Sequence, residues 1–395
     1  MKRIVVLGST GSIGQSALSV IEHHHDRFRI VGLAAGRNAK LLERQCRRHP
    51  EAHFTLGSQE SLTAILKANG SLAGRSRGCG GAAVLNLIEA SRPDLVLNAF
   101  VGFAGLEPAL YCLEKGINVA LANKEAIVAG GRLLKIAARN SGAVIVPVDS
   151  EHVAVSQCLS GRPIEEVRRI FLTASGGALR DRPLEELETA GIEDVLRHPT
   201  WDMGDKITVD SATMMNKGME VIEARWLFNL ALERIELIIH PQSIVHSLVE
   251  FIDGSIIAQL GLPDMRLPIL HALSHPGRLE SDLIPSKIDE FPELSFRKVD
   301  IKRYPCLNLA LAAARRGGAA PTVLLAANEV AVASFLAGRV PFSRIADIIG
   351  DALDNIPPQE PQLLKDIFEV AENTKRYIER KFCLQHTNYT WSTTC

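Results

Sequence analysis

Along the first 150 positions, short β-rich apolar runs alternate with stretches of helical periodicity. The runs lie at residues 3–7, 28–33, 94–99, 118–121 and 143–148, and helical patterns occupy 14–25, 106–115 and 124–140. Strands separated by helix-length segments predict an α/β unit, a parallel sheet with helices on both faces. Beyond residue 150 the pattern changes. An apolar strand at 170–174 precedes a Ser-Gly-Gly turn, a long helical pattern runs from 211 to 230, and strand-like runs follow at 235–239, 244–251 and 255–260. Strands in succession favour antiparallel neighbours, so this part reads as α+β. Residues 274–303 are rich in proline and charge and predict a long connection. Residues 307–382 are Ala/Leu-rich at helical spacing and predict a small helical bundle. The expected division is 1–149, a central unit 150–274, a linker 275–303 and a C-terminal helical unit 304–395. Residues 70–81 (GSLAGRSRGCGG) read as a solvated loop, and 383–395 as a polar tail without a helical stripe.

Composition narrows the functions. The 395 residues carry 44 Lys+Arg against 45 Asp+Glu, a balance that argues against nonspecific attraction to nucleic acid or a membrane surface. With 46% hydrophobic and 23% charged residues, wholesale disorder is excluded. Seven scattered cysteines, none in a C-x-x-C pair, read as reduced thiols in a cytosolic protein. The opening apolar run meets glycines at once and reads as a strand rather than a signal peptide. No stretch approaches the roughly 20 apolar residues of a spanning helix.

Candidate chemistry begins where the first strand ends. Gly8-Ser9-Thr10-Gly11-Ser12-Ile13-Gly14 joins that strand to the first helix. Gly8 permits a tight turn, Gly11 a close backbone approach and Gly14 packing of the helix on the sheet. The free N–H groups of the helix start would face a pyrophosphate, as in Rossmann-like units. The second strand ends Ala35-Gly36-Arg37-Asn38. It lacks the carboxylate that binds a ribose 2′-OH, and Arg37 can pair with a 2′-phosphate, which favours NADP(H) over NAD.

Polar groups also gather elsewhere. If the strand before Asp149-Ser150-Glu151 extends that far, the two carboxylates point to one side at the carboxyl end of the sheet. Such oxygen pairs suit Mg²⁺ or Mn²⁺, although D-x-E alone describes a solvated strand end better. Asn216 and Glu220 are four residues apart and Lys217 and Glu220 three, so all three lie near one helix face, with Ser211 upstream. Thr173–Gly177 offers backbone N–H groups and the Ser175 hydroxyl to an anion. The loop His198–Gly204 could close over a ligand. Asn123 suits a helix cap, and Lys124 beside it could hydrogen-bond a substrate oxygen. His23–His25 suit the end of the first helix, and His240, His246 and His271 read as structural.

Taken together, GSTGSIG, LANKEAIV, PVDSEH, HPTWDMGDKITVDSATMMNKGMEVIEARWLF, IHPQSIVHS and GSIIAQLGLPDMRLPI resemble the 1-deoxy-D-xylulose 5-phosphate reductoisomerase family. The resemblance runs from residue 1 to about residue 340 and includes RYPCLNLA and LLAANEVAVASFL. It implies an N-terminal Rossmann-like NADPH unit, a central catalytic α+β unit and a C-terminal helical bundle. It also implies conversion of 1-deoxy-D-xylulose 5-phosphate to 2-C-methyl-D-erythritol 4-phosphate in non-mevalonate isoprenoid biosynthesis, by a cytoplasmic homodimer. The metal ligands it implies, for Mg²⁺ or Mn²⁺, are Asp149, Glu151 and Glu220. Substrate contacts would come from Lys124, Ser150, Glu151, Ser175, His198, Ser211, Asn216, Lys217 and Glu220, with Ser175, Ser211, Asn216 and Lys217 at the phosphate. Lys124, Glu151 and His198 are the catalytic candidates. NADPH contacts would be Thr10, Gly11, Ser12, Ile13, Gly36, Arg37, Asn38, Asn123, Glu125 and Gly204. Trp201 and Met203 would belong to a mobile lid.

The stretch LTASGGAL departs modestly, with Ala174 where the family often has Gly and Ala178 where it often has Pro. Residues 70–81 resemble no recognisable segment, and the last dozen do not look like the family's usual ending, so no function is carried over there. Two other readings stand beside this one. A semialdehyde-type dehydrogenase needs an activated cysteine near a histidine, a context Cys112 and Cys158 lack. A non-catalytic NADP sensor would need no set of three carboxylates.

Overall fold

The computed structural model describes residues 1–201 and 203–384. A seven-stranded parallel sheet is built from β1 (Lys2–Leu7), β2 (Phe28–Ala35), β3 (His53–Leu56), β4 (Ser76–Cys79), β5 (Leu95–Asn98), β6 (Asn118–Leu121) and β7 (Ile145–Pro147). The helices between them are α1 (Ser12–His23), α2 (Ala39–Arg48), α3 (Gln59–Ala68), α4 (Gly80–Ser91), α5 (Leu106–Glu114) and α6 (Lys124–Ser141). Strand order is β4-β3-β2-β1-β5-β6-β7, so the winding reverses between β1 and β5. Open α/β sheets bind ligands at that reversal.

The sheet's strands carry apolar side chains on both faces, as a doubly covered sheet requires. Ile4, Val6, Leu33 and Leu97 pack on one side with α1–α3, while Val5, Leu7, Val96 and Leu121 pack on the other with α4–α6. The loop expected at 70–81 is instead a short turn of helix followed by edge strand β4 and the start of α4. Arg75 holds it in place by donating to the carbonyls of Cys46, His49 and Ala52, and Thr55 Oγ1 donates to Gly78 O at 2.8 Å.

The chain then forms α7 (Ser150–Leu159), β8 (Val167–Ala174), α8 (Ile192–Leu196), α9 (Asp205–Ala212), α10 (Met215–Phe228), β9 (Ile235–Ile239), β10 (Val245–Phe251), β11 (Ile256–Leu260), α11 (Arg266–Ser274) and β12 (Arg297–Lys298). The second sheet runs β11-β10-β8-β9-β12. β9 and β10 are therefore not neighbours, contrary to the expected antiparallel succession. β8 lies between them, parallel to β9 and antiparallel to β10. Helices α7 and α10 cover this sheet through Val155, Cys158, Val221 and Ala224.

Two further departures bear on function. The β7 strand stops at Pro147, so Asp149 is the N-cap of α7 and Glu151 lies in its first turn, not on a strand. The long helix expected at 211–230 is broken. Thr213 Oγ1 donates to Val209 O and accepts from Met215 N, and Met214 adopts a left-handed φ of 57°. Side chain–backbone bonds of this kind compete with helix continuation.

The C-terminal bundle comprises α12 (Pro305–Arg316), α13 (Ala320–Leu336), α14 (Arg344–Asn355) and α15 (Leu364–Phe382). α13 is buried nearly all round, which marks a central core helix. Each fully buried leucine such as Leu324 contributes about 1.5–3 kcal/mol. Helix α11 packs on the α1 side of the first sheet, and Ile367 of α15 is buried with its opposite face. Cys46, Cys112, Cys158, Cys306 and Cys383 are free thiols, but Cys79 is disulfide-bonded, a correction to the expectation of seven reduced cysteines. Asp202 of the proposed lid and the tail beyond Leu384 lie outside the described residues.

Candidate active site

The glycine turn sits where the sheet reverses. Gly8 has φ +84°, and a Cβ there would meet Ala99 O at 2.4 Å. A Cβ on Gly14 would lie 2.2 Å from Gly8 O, so this glycine lets α1 close onto the turn itself rather than onto the sheet. The α1 start has no side-chain cap, which leaves its N–H groups to an anion. Gly36, Arg37 and Asn38 follow β2, with Arg37 exposed and Asn38 accepting from Leu41 N as the cap of α2. At the end of β6, Asn123 caps α6 through Ala126 N, and its amide donates to Phe100 O, Gly102 O and Glu125 Oε2.

Lys124, the first residue of α6, extends from there into a buried charge cluster. Its Nζ lies 2.7 Å from Asp149 Oδ2 and 3.5 Å from Glu220 Oε1, and donates to Asn216 Oδ1 at 2.6 Å. Lys217 Nζ lies 2.8 Å from Glu151 Oε1 and also bonds Glu220 Oε2. Asn216 Nδ2 donates to Glu220 Oε1 at 2.6 Å, and Ser150 Oγ to Glu151 Oε2 at 2.6 Å. Two ammonium groups are thus threaded among three carboxylates. Buried charges persist only when so compensated.

The compensation sets the ionisation. Burial would lower Lys124, but Asp149 and Glu220 more than reverse this and hold it well above the usual lysine range. Burial would raise Glu151, yet Lys217 and the Ser150 hydroxyl hold it below the usual carboxylate range. Burial and the neighbouring Glu151 push Glu220 up to about 7, against the pull of Lys217 and Lys124.

A second group forms beside it. Ser175 follows β8, and a Cβ on Gly177 (φ +73°) would lie 2.6 Å from Ser211 O, so this loop runs directly against the end of α9. His198 Nδ1 accepts from Thr200 N and Trp201 N, which assigns the proton to Nε2, 3.0 Å from Ser175 Oγ. Burial lowers His198 to about 4, so the ring is neutral at pH 7. Gly177 N also donates to Ser175 Oγ, leaving the hydroxyl proton available to a ligand. Asn216 and Lys217, expected beside these serines, make their hydrogen bonds to the carboxylate cluster instead. Gly204 is exposed at the N-cap of α9, and Trp201 and Met203 are half-buried, with the Trp201 ring 6.4 Å from that of His246.

The sequence reading missed His152 and Glu223. Among the described residues, Asp149, His152 and Glu223 bring one donor atom each within 4.8 Å of one another. His152 Nε2 donates to Glu220 O at 3.0 Å, and its Nδ1 faces Glu223 Oε2 at 3.5 Å. Burial and Asp149 raise Glu223 well above the usual carboxylate range. Glu223 is three residues from Glu220 and shares its helix face, a signal that was present. His152 is identified only once Glu151 is known to sit on a helix.

A dinucleotide-type turn, an uncapped helix start and a buried carboxylate–ammonium cluster, all at the carboxyl ends of the parallel strands, define a nucleotide-dependent oxidoreductase of the α/β class. Family models described as 1-deoxy-D-xylulose 5-phosphate reductoisomerase, that enzyme's C-terminal domain and DXP reductoisomerase C-terminal domain match residues 4–131, 145–228 and 260–377. The 1-deoxy-D-xylulose 5-phosphate reductoisomerase of Pelotomaculum thermopropionicum is 48% identical over 93% of this chain and 95% of its own. That of Anaeromyxobacter dehalogenans is 46% identical over 96% and 97%. The Zymomonas mobilis enzyme in complex with NADPH superposes with TM-score 0.89 at 40% identity, covering 96% of this chain and 98% of that one. A DOX-P reductoisomerase with NADPH, fosmidomycin and magnesium gives 0.91 at 35% identity, covering 97% and 98%. The chain belongs to the 1-deoxy-D-xylulose 5-phosphate reductoisomerase family and is an NADPH-dependent oxidoreductase. None of its described helices is long and apolar enough to cross a membrane.

Proposed function

We propose that this chain isomerises and reduces 1-deoxy-D-xylulose 5-phosphate to 2-C-methyl-D-erythritol 4-phosphate, with NADPH and Mg²⁺ or Mn²⁺, in non-mevalonate isoprenoid biosynthesis. The observation that carries the reading is the buried convergence of Asp149, Glu151 and Glu220 with Lys124 and Lys217, at the same carboxyl end of the sheet as the glycine turn. Three carboxylates are a hard, oxygen-only donor set and fit Mg²⁺ or Mn²⁺. The uncapped α1 start fits a pyrophosphate.

Thr10, Gly11, Ser12 and Ile13 would hold the pyrophosphate, Gly36, Arg37 and Asn38 the 2′-phosphate end, and Asn123, Glu125 and Gly204 the nicotinamide end. When bound, NADPH supplies a hydride, and the ion at Asp149, Glu151 and Glu220 polarises the substrate carbonyl. Lys124 stays an ammonium and donates to a substrate oxygen. Glu151 stays ionised and can accept a proton, with Ser150 orienting it. Ser175 donates its hydroxyl proton to the phosphate while His198 Nε2–H fixes the hydroxyl from behind, and Ser211 lies alongside. Asn216 and Lys217 turn towards substrate oxygens from the same helix face that carries Glu220. Fixing both ends of the substrate keeps its fragments in register during skeletal rearrangement. Trp201 and Met203 exclude water above the site.

The reading treats residues 1–149 as the cofactor unit, 150–274 as the catalytic unit, 275–303 as a linker and 304–395 as the helical unit. A homodimer in the cytoplasm accompanies it. Edge strand β11 supports the dimer: it carries exposed Ile256 and Leu260 and pairs with β10 on one side within this chain.

The test is a NADPH oxidation assay. Oxidation is expected only when 1-deoxy-D-xylulose 5-phosphate and Mg²⁺ or Mn²⁺ are both present. A rate that survives EDTA overturns the metal assignment. In the same assay Arg37→Asp should shift preference towards NADH, because a carboxylate repels a 2′-phosphate and suits a 2′-hydroxyl. An unchanged NADPH/NADH ratio removes Arg37 from the cofactor site.

A further inference from the structure

Helix α9 joins the two halves of the site. Gly204 is its N-cap, Ser211 lies in its last turn, and Lys206 and Asp210 stand between them. Lys206 Nζ lies 2.8 Å from Asp210 Oδ2 and 3.7 Å from Glu125 Oε1. Glu125 in turn accepts from Asn123, whose amide also holds the Phe100 and Gly102 carbonyls at the end of β5. On its other side Asp210, 1% exposed, accepts from Asn328 Nδ2 of α13 at 2.7 Å. A pair four residues apart on one helix is ordinarily a weak surface feature. This one is different. Its carboxylate is buried and anchored to the bundle, and its ammonium reaches across to the first turn of α6.

We propose that Lys206 is a positioning residue that fixes helix α9 against the first turn of α6, so that the cofactor-side Glu125 and the substrate-side Ser211 are set in register together. The proposal rests on the functional reading above. Lys206 touches neither the carboxylate cluster nor the serine–histidine pair. It acts through Glu125 and Asp210.

The consequence is a coupling that each side chain alone would not produce. Lys206→Met is expected to weaken NADPH binding about tenfold, read by nucleotide fluorescence on the purified full chain without substrate. Glu125→Gln, which breaks the link and also alters the nicotinamide end, is expected to weaken it at least as much. The double variant should be no worse than the poorer single one, because both break the same link. In turnover, Lys206→Met should raise the KM for 1-deoxy-D-xylulose 5-phosphate about tenfold while kcat falls less than threefold. Lys206→Arg, which keeps the charge, should recover most of both. Multiplicative effects in the double variant, an unchanged NADPH affinity in Lys206→Met, or a loss confined to kcat would each overturn the proposal. A loss of thermal stability without these changes would mark a structural pair and overturn it as well. The binding cycle needs no substrate, so it is decided even if the wild-type chain fails to turn over 1-deoxy-D-xylulose 5-phosphate, which would sink the functional reading instead.

Discussion

Replacing Glu220 by Gln is expected to lower turnover by at least about a hundredfold while leaving NADPH affinity within about twofold of wild type. The side chain is 1% exposed and lies within reach of Lys124, Lys217 and Asn216. Glutamine keeps the shape and one acceptor oxygen, but its amide NH2 would stand where the other oxygen accepted, Oε1 facing Lys124 and Oε2 facing Lys217. What it removes is one negative charge. The remaining carboxylates, Asp149 and Glu151, each already face a lysine, so the group would hold a divalent ion weakly. None of the atoms of the glycine turn, the β2 end or the Asn123 cap touches Glu220, which is why nucleotide binding should persist. The check is a NADPH oxidation assay at saturating Mg²⁺, paired with nucleotide fluorescence titration. Turnover within tenfold of wild type would remove Glu220 from the metal group, and a large loss of NADPH affinity would place it at the cofactor.

Which features could be read from the chain follows from how local their determinants are. The glycine turn, the Asn123 cap and the Asn216–Lys217–Glu220 face are each set within a few residues, and the structure has them where the spacing put them. β3 and β4 are as long as β5 and β6, but HFTL mixes polar with apolar residues and SRGC has no apolar run, so neither carries the signal of a buried strand. β4 in particular depends on Arg75 reaching three carbonyls more than twenty residues away. The placing of β8 between β9 and β10 is a long-range pairing that no window contains. The break at Met214 escaped because apolar spacing continues through it, while the hydroxyl of Thr213 bonds back to Val209 O and accepts from Met215 N. That break matters for the site, because it gives Ser211 and Glu220 separate helices to ride on. Reading Asp149-Ser150-Glu151 as a strand end placed the carboxylates correctly in space for the wrong local reason. They meet because a helix starts there, with Asp149 at its cap and Glu151 in its first turn, at the positive pole. The same error hid His152, which faces inward only on a helix.

Removing Lys217 should have the largest effect on stability. It is 4% exposed and is the ammonium that separates Glu151 from Glu220. In Lys217→Met the two carboxylates face each other in a buried site, with Lys124 beside Glu220 and His246 near Glu151. Breaking a buried pair on one side costs about 3–5 kcal/mol. The loss should depend on pH. Glu220 has its folded pKa raised from 4.5 to about 7, so the folded state binds its proton more tightly than the unfolded chain does. Stability from that proton is complete below the unfolded value and is lost as pH rises through the folded one. Without Lys217 the folded value moves higher still, so the variant should lose more stability at pH 8 than at pH 5.5. Divalent ions should reverse the loss. An ion bound by the folded state alone at about a hundred times its dissociation constant contributes about 2.7 kcal/mol. The variant should gain more from Mg²⁺ or Mn²⁺ than wild type, where the lysine already neutralises the carboxylates and an ion must compete with it. Urea denaturation with EDTA and with Mg²⁺, at both pH values, measures all of this. Equal metal responses in the two proteins would mean that Lys217 and the ion do not share the carboxylates, and the assignment of Glu151 and Glu220 as common ligands would fall.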